Sequence, residues 1–577
     1  MLKFLVFEDG QSPQPWQLTN AHLLGADGIG VRGQIDLQGN LIVCEKRAMG
    51  AAALAVQVAV GELGEFTLQT CLLPDREEPY LLSLELARHR LMLLLTKQED
   101  WLMFELPADH PSVRRANLAR QLFVKALNST DDPAAADKLA RESLIAAIDA
   151  SEELALAHAE VLLNRRKVTG QLARGVFGCG VGLKLSSSEV RASLLANFDY
   201  LSMPTRWRQI EPQEQQFDWQ GLDGWADWAF RNRLPILAGP VVSFDQSVMP
   251  DWLYIVEHDY ETLRDLLYEH AERLVTRYRN VVTMWNVVSG IHVNAHFTLN
   301  LEQLMDLTRM AVMLTKKIQP TAKALIEITQ PFGEYYATNQ RSIPPLMYAD
   351  MVLQSGIPID AFGLKLVMGQ PVDGRHTRDL MQISSLLDRF SGLGKPVHVT
   401  AVAVPSEPGG GEGNGADAVA NGNGNGNGAK ATEDDADLHG VEELAEMDDA
   451  AAAIGALRDG QIASPCSGGC WRKPWSQQVQ SHWLQAFYNI ALSKPFIESV
   501  AWLDLADHEH SDLPYSGLAA ANLKTKQAFH RIAALRKPPA PQKRKRRTRA
   551  MIGADDAAKR GRRTNSSRQL GMESIHD

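Results

Sequence analysis

Two glutamates stand at or just after the end of one apolar segment, where a buried strand is predicted to run into a loop. Glu327 lies within LIEIT and Glu334 within PFGEYY. A carboxyl group inside an apolar strand is costly unless it is paired, so each glutamate is a candidate for acid, base or nucleophilic chemistry. For Glu327, the structural alternative is a salt bridge to Lys365, Arg206 or another base. If the chain performs acid-base or nucleophilic chemistry, we predict Glu327 and Glu334 as its catalytic carboxyl groups.

A pair of histidines in IHVNAH is a further candidate site. His292 and His296 are spaced i and i+4, which suits two metal ligands if the segment is helical. No glutamate of a metalloprotease-type motif accompanies them. We therefore predict no metal and no cofactor, and we interpret both residues as loop or helix-start histidines.

Aromatic side chains near the same strand ends could pack against a bound ligand. Most tryptophans of such a fold are core residues, so we expect only two or three of the candidates to be exposed. Trp252 and Tyr336 belong to the same aromatic group. The predicted substrate-binding residues are Arg206, Trp207, Trp285, His292, Tyr335 and Trp502.

Eight apolar segments that resemble strands must position these residues. From about Val176 onward they alternate with helix-like segments such as YETLRDLLYEHAERLVTRYRN and LEQLMDLTRMAVMLTKKI. Eight βα units of this kind predict a (β/α)8 barrel, whose active sites lie at the carboxyl ends of the strands. An open, doubly wound sheet is the competing architecture. The eight segments are VFGCGVGL, FDYLSMP, PILAGPVV, VVTMWNVV, AKALIEI, DAFGLKL, PVHVTAVAV and SVAWLDL.

Composition divides the 577-residue chain into segments. Residues 1–105 contain short apolar runs broken by Gly, Asp and Pro, which predict a small β-rich, sandwich-like domain. Residues 106–170 predict a helical connector, and residues 171–536 the barrel. The N-terminal domain is compatible with a carbohydrate-binding sandwich or with a unit that covers the barrel bottom.

Two further segments have strongly biased charge. Residues 405–465 predict a disordered acidic insertion, since positions 405 to 450 hold 12 Asp and Glu against one Lys. It is either an acidic lid over the active-site face or a tolerated surface insertion. Residues 537–577 predict a disordered basic tail containing KRKRRTR. The tail could bind nucleic acid or another polyanion, or it could be a solvated segment without a specific partner.

The start of the chain, MLKFLVFEDG, has an apolar run followed at once by acidic residues and no small-residue cleavage site. We interpret it as a β-strand and predict a cytoplasmic protein. No segment approaches the roughly 20 apolar residues that a membrane helix needs, so no membrane partner is predicted. Five scattered cysteines predict no disulfide framework.

The order and spacing of several motifs resemble glycoside hydrolase family 10, the retaining β-1,4-xylanases built on a (β/α)8 barrel. The resemblance covers roughly residues 176 to 536. Each motif is weak alone, but their order together identifies the fold. The motifs are RWRQIEPQEQQFDWQ, MPDWL, RYRNVVTMWNVVSG, IDAFGLKL, GKPVHVTAVAV, SVAWLDLAD and GLAAANLKTKQAFHRI.

The same resemblance implies that both catalytic carboxyl groups of the family are missing. The general acid of the family falls at Gly290 and its nucleophile at Ala401. Retaining hydrolysis needs two carboxyl groups about 5 Å apart, and neither glycine nor alanine can replace one. The lysine of the family falls at Arg206, and the histidine of its sixth strand falls at Val367.

Three functions follow as hypotheses. The first is a family 10-like barrel that binds a glycan or a protein partner without the usual retaining hydrolysis. The second is an active hydrolase on β-1,4-linked glycans that uses the displaced carboxyl groups of Glu327 and Glu334. The third is an interaction scaffold that acts through the acidic insertion and the basic tail.

Overall fold

The computed structural model describes residues 1–7, 18–47, 49–170, 175–184, 187–408 and 468–536. The predicted acidic insertion lies outside the described residues from position 409 onward, and the predicted basic tail lies wholly outside them. Residues Met1–Arg536 belong to one compact unit.

Eight parallel strands close into a barrel, which confirms the (β/α)8 prediction and excludes the open sheet. The strand order is β11-β10-β9-β18-β16-β15-β14-β13, and a pairing of β11 with β13 closes the ring. Every residue of β16 is buried, as expected of strands covered on both faces. The short strand β12 (Val242–Ser243) adds to β13. The barrel strands are β9 (Phe177–Gly180), β10 (Tyr200–Pro204), β11 (Ile236–Gly239), β13 (Met284–Ser289), β14 (Lys323–Ile328), β15 (Ala361–Val367), β16 (Val397–Ala403) and β18 (Ile497–Trp502).

Helices follow the barrel strands, and several of them begin at side-chain caps. Asp259 caps α7 by accepting from the Thr262 N–H, and Asn300 forms a capping box with Gln303 at the start of α8. Such caps satisfy N–H groups that a helix start leaves unpaired. The helices are α4 (Ser188–Asn197), α5 (Trp207–Ile210), α6 (Gln220–Arg231), α7 (Tyr260–Tyr278), α8 (Leu301–Ile318), α9 (Pro345–Gln354), α10 (Leu380–Ser391), α11 (Gln477–Ser493) and α12 (Gln527–Arg536).

The N-terminal region is β-rich, as predicted, and consists of two small sheets with the orders β4-β5-β1-β8 and β17-β7-β6-β2-β3. The fifth strand of the second sheet, β17, comes from the barrel chain beyond β16 and pairs with β7. The strands are β1 (Leu2–Leu5), β2 (His22–Leu24), β3 (Gly30–Val31), β4 (Gly33–Gln38), β5 (Leu41–Lys46), β6 (Ala53–Ala59), β7 (Gly64–Gln69), β8 (Tyr80–Leu81) and β17 (Cys470–Trp471).

Three helices connect the sheets to the barrel: α1 (Leu82–Asp100), α2 (Pro111–Leu127) and α3 (Pro133–Val168). The helix α1 lies within residues 1–105, which were predicted to be β-rich. It is a helix because its apolar residues recur with helical spacing. Asp132 caps α3, and proline occupies its first turn. No helix in the described ranges is long and apolar enough to cross a bilayer. The cytoplasmic location stays a prediction.

The N-terminal sheets contact loops at the carboxyl ends of the barrel strands. Thr67 of β7 accepts hydrogen bonds from Arg378 (3.0 Å) and Gln382 (3.0 Å) through its carbonyl oxygen. Asn20 donates to Glu334 over 3.1 Å. Glu334 and Arg378 belong to the loops that follow β14 and β15, and these loops lie on the face where barrel active sites form.

Candidate binding site at the mouth of the barrel

A pocket of about 1040 Å³ opens at the carboxyl ends of the barrel strands. Its lining is rich in charged and polar side chains, and Trp225 is the single Trp, Tyr or Phe among the described lining residues. A volume of this size is typical of ligand sites. The residues that decide its chemistry are Arg206, Asp245, Asn286, Ser289, Glu327, Lys365, Thr400, Asp504, His508 and Asp512.

Glu327 lines the pocket and is 5% exposed. It is the second-last residue of β14 and pairs in register with Ser289 of β13. The Ser289 hydroxyl donates to Glu327 Oε1 over 2.5 Å, and the Thr400 hydroxyl donates to Oε2. Hydroxyl groups from β13 and β16 therefore fix the orientation of this carboxyl group.

Asp512, in the loop after β18, forms the salt bridges that the sequence had suggested for Glu327. Arg206 Nη2 donates to Asp512 Oδ1 over 2.9 Å, and Lys365 Nζ donates to Oδ2 over 2.6 Å. Arg375 reaches the backbone oxygen of Asp512 over 2.6 Å. Burial opposes the Asp512 charge, but Lys365, Arg206 and Arg375 outweigh it and hold its pKa far below the usual range. The predicted bases Lys365 and Arg206 therefore do form salt bridges, but their partner is Asp512 and not Glu327.

The charge on Lys365 determines which chemistry this residue can perform. Burial opposes the ammonium charge, but the carboxylates of Asp512, Asp245 and Glu327 outweigh that effect and raise the Lys365 pKa. A lysine that stays protonated donates hydrogen bonds and does not attack a carbonyl carbon. The Lys365 ammonium is therefore a hydrogen-bond donor and not a nucleophile.

Three buried polar atoms of the pocket lining have no hydrogen-bond partner among the described residues. They are Asn286 Oδ1, Trp225 Nε1 and Arg191 Nε. Asn286 is 6% exposed and Trp225 is fully buried. An unpaired buried polar atom costs free energy. All three atoms are closed to water, so a ligand hydroxyl reaches one of them only when its side chain turns toward the pocket. One acceptor and two donors of this kind suit a polyhydroxylated ligand.

A second carboxyl group of the lining, Asp504, follows β18. His508 Nε2 lies 3.0 Å from Asp504 Oδ1, and the Ser511 hydroxyl donates to Oδ2 over 2.5 Å. Asp504 and Glu327 both line the pocket. His398 lies near the start of β16 against Ser499 (2.7 Å) and outside the pocket lining.

The two positions of the missing family carboxyl groups differ in their surroundings. Ala401 lines the pocket. Gly290 has a left-handed backbone (φ 65°), and a Cβ added there would lie 2.7 Å from Thr329 Oγ1. A side chain at 290 would be strained as well as crowded. The acid cannot be restored at this position without a shift of the loop.

Glu334 lies outside the pocket, so the structure does not bring the predicted pair Glu327 and Glu334 together in one cavity. Its carboxylate forms an ion pair with Arg378 and accepts from the Gly374 N–H over 2.8 Å. Glu334 is 5% exposed. These contacts tie the loop after β14 to the loop after β15 and to the N-terminal sheet, which is a structural role.

The predicted aromatic contacts are core residues, because their ring faces are covered. Trp285 and Trp502 are fully buried, and Trp207 and Tyr335 are 4% and 3% exposed. Each polar atom has an internal partner, such as the Ser516 carbonyl for Trp502 Nε1 (2.8 Å). Of the predicted binding set, Arg206 alone lines the pocket.

His292 is fully buried, and its ring stacks on Tyr348 with 5.1 Å between centroids. Burial lowers its pKa to about 4. His292 is the middle residue of a short 3-10 turn (Ile291–Val293), and the left-handed Asn294 separates it from His296. The described residues contain no group of three metal-ligating side chains that could hold an ion.

Several pocket residues carried no signal in the sequence. Asp512 comes from the loop after β18, and strand periodicity does not determine the position of a loop. Asn286 lies within a strand that was interpreted as apolar. A useful signal was available for Lys365, since a lysine inside an apolar strand requires a carboxylate partner.

Residues 173–410 match the model of glycosyl hydrolase family 10. Endo-1,4-beta-xylanase 2 of Aureobasidium pullulans is 27% identical over 221 residues, which cover 34% of this chain and 56% of that protein. Endo-1,4-beta-xylanase of Agaricus bisporus is 25% identical over 206 residues, which cover 34% of this chain and 57% of that protein. The chain spans about half the length of these curated relatives.

Solved structures of similar proteins include xylanase 10B from Thermotoga petrophila RKU-1 in complex with xylobiose. It is 14% identical with a TM-score of 0.40, covering 64% of this chain and 96% of that chain. Native xylanase 10B from Thermotoga maritima is also 14% identical with a TM-score of 0.40, covering 64% of this chain and 97% of that chain. The barrel fold of the present chain rests on its own strand pairings.

Proposed function

Because the barrel belongs to glycosyl hydrolase family 10 but carries Gly290 and Ala401 at the two catalytic positions, we propose that it binds a β-1,4-linked glycan without retaining hydrolysis. The observation that carries this proposal is a polar pocket at the mouth of the barrel with no carboxyl group at either position. Retaining chemistry needs both groups. The names of the relatives make a xylan-type chain the first ligand to test.

The pocket supports glycan binding through hydrogen bonds more than through stacking. Asn286 and Trp225 contribute an unpaired acceptor and an unpaired donor, and Lys365 contributes a charged donor. Charged donors form stronger hydrogen bonds to hydroxyl groups than neutral ones. Sugar hydroxyl groups can both donate and accept, so they match this mixed set.

A second candidate function is hydrolysis by displaced carboxyl groups. Glu327, Asp245 and Asp504 all line the pocket, and this supports a hydrolase in which Glu327 acts with a partner other than Glu334. Inverting hydrolysis also needs two carboxyl groups, but at a wider separation that admits a water molecule. Product analysis separates this function from the first.

The test combines calorimetry with an assay for released sugar. Xylo-oligosaccharides of two to six units are titrated into the full chain and into the Asn286→Ala variant. We expect binding to the native chain and an affinity lower by about tenfold in the variant, which is the loss of one hydrogen bond of about 1.4 kcal/mol. Asn232→Ala is the matched control. Asn232 directly follows the last residue of α6, is exposed, and its side chain donates to the Trp228 carbonyl.

Turnover decides between the two functions. We expect no product above the buffer rate from the native chain. Product that disappears in Glu327→Gln would favour the displaced hydrolase, and its anomeric configuration would show whether Glu327 acts in retaining or inverting chemistry. Absence of binding to every oligosaccharide would refute the first proposal.

A further inference from the structure

The pocket is lined unevenly around the barrel mouth. Its walls come from segments that follow β9, β10, β11 and β18. On the opposite side, β14, β15 and β16 contribute only Glu327, Lys365, Thr400 and Ala401, all within the strands. The described residues of the loops after these three strands contribute nothing to the lining. We call those loops, residues 329–344, 368–379, 404–408 and 468–476, the closed side.

The closed side is covered by the N-terminal sheets. Asn20 donates to Glu334 and also to Thr67 Oγ1 over 2.9 Å. The Thr67 N–H donates to the Thr377 carbonyl over 3.2 Å. The Arg378 guanidinium donates to the Thr67 carbonyl and pairs with Glu334. Both members of this ion pair are buried, so the contact is an interior one.

Backbone segments also meet without space between them. A Cβ added to Gly30 of β3 would lie 2.7 Å from the Ala337 nitrogen, in the loop after β14. A Cβ added to Gly469 would lie 2.5 Å from the Glu65 carbonyl of β7. Arg375 of the closed side bonds to the Asp512 carbonyl in the loop after β18. A sugar ring cannot pass between these segments.

We propose that the pocket receives the end of a β-1,4-linked glycan chain and does not bind an internal segment. This inference rests on the proposed glycan binding. A chain that continues in both directions needs an exit on each side of the barrel mouth. Here the terminal unit meets Glu327 and Lys365, and the rest of the chain leaves between the loops after β9, β10, β11 and β18.

The experiment compares one soluble xylan before and after shortening. Mild acid reduces its mean length about tenfold at constant mass, which raises the number of chain ends about tenfold. The full-length protein is titrated with equal masses of both preparations, and the protein bound per gram of xylan at saturation is measured. We expect this capacity to rise about tenfold on shortening, with the affinity per site unchanged.

Each outcome has a distinct meaning. An equal or lower capacity for the shortened xylan would show binding to internal segments and would overturn the inference. Lack of binding to both preparations and to oligosaccharides would instead refute the proposed function. Asn286→Ala should lower the affinity for both preparations equally, while Asn232→Ala should change neither, which assigns the binding to the pocket.

Discussion

Position 290, where the family resemblance predicts a missing general acid, has a backbone that disfavours any side chain. Gly290 directly follows β13 with φ 65°, and the Thr329 side chain occupies the space where its Cβ would lie. An L-residue at this φ is strained, and the contact with Thr329 adds a steric cost. Glycine is therefore one of the few residues that this loop accepts.

A stability measurement separates these two costs. We expect Gly290→Ala to lower the free energy of unfolding by the strain of about 1 to 2 kcal/mol plus about 1 kcal/mol or more for the contact with Thr329. The matched control is Gly394→Ala, since Gly394 has φ 66° and nothing within 4 Å of an added Cβ. Urea unfolding of both variants measures the difference.

The double variant Gly290→Ala, Thr329→Ala tests the steric part. Removal of the Thr329 Oγ1 and Cγ2 atoms leaves its Cβ at 3.6 Å from the added methyl group. The cost of Gly290→Ala in that background should fall to the cost of Gly394→Ala. Equal losses in Gly290→Ala and Gly394→Ala would contradict the steric account.

The order of the motifs predicted where individual residues lie relative to the strand ends. It did not predict how exposed their side chains are. Gly290 directly follows β13, and Ala401 lies within the last part of β16. Their assignment to the two catalytic positions of the family stays a prediction. Trp502 was expected near the mouth, but it is fully buried. Neither the sequence nor the strand period determines which neighbours cover a ring.

At the scale of elements, the start of α10 joins the barrel to the N-terminal helices. Asp379 caps α10 by accepting from the N–H groups of Met381 (3.0 Å) and Gln382 (3.2 Å). The same carboxylate forms two hydrogen bonds with Arg90 of α1, over 2.9 and 2.5 Å. Both residues are almost completely buried. One side chain thus provides a cap and one half of a buried ion pair.

Asp379→Asn separates these roles, because asparagine caps helices well but carries no charge. We expect the variant to lose about 3 to 5 kcal/mol of unfolding free energy, since it leaves the Arg90 guanidinium buried and unpaired. Asp132→Asn at the exposed N-cap of α3 is the control and should lose far less. A loss at 379 no larger than that at 132 would mean that Arg90 is solvated or finds another partner.

Element types were predictable, and their packing partners were not. All eight barrel strands coincide with apolar segments seen in the sequence, because a strand buried on both faces must be apolar along its length. The placement of the N-terminal sheets on the carboxyl-end loops depends on single contacts such as Asn20 with Glu334. Residues 314 positions apart leave no periodic pattern in a sequence.

For the whole molecule, buried histidines link stability to pH. Burial lowers the pKa of His292 and His376 to about 4 and of His270 to about 3. For His22, burial and then the nearby Arg378 lower the pKa to about 4. In the unfolded chain each would titrate near 6.5. The unfolded state therefore binds more protons between about pH 6.5 and pH 4, so stability falls as the pH falls through this window.

His270 offers the clearest test of this linkage. Its ring stacks on Trp207 at 4.1 Å, and its Nε2 atom has no partner among the described residues. His270→Phe keeps the aromatic packing and removes the titrating group. From pH 7 to pH 5, one such histidine costs about 2 kcal/mol of unfolding free energy. The His270→Phe variant should therefore lose about that much less stability than the native chain.

Urea unfolding at both pH values measures the difference. The control is His258→Phe, because the His258 side chain is 77% exposed. If the variant and the native chain lost the same free energy over this interval, His270 would already be protonated in the fold or shielded in the unfolded chain, and burial would not be the source of the pH dependence.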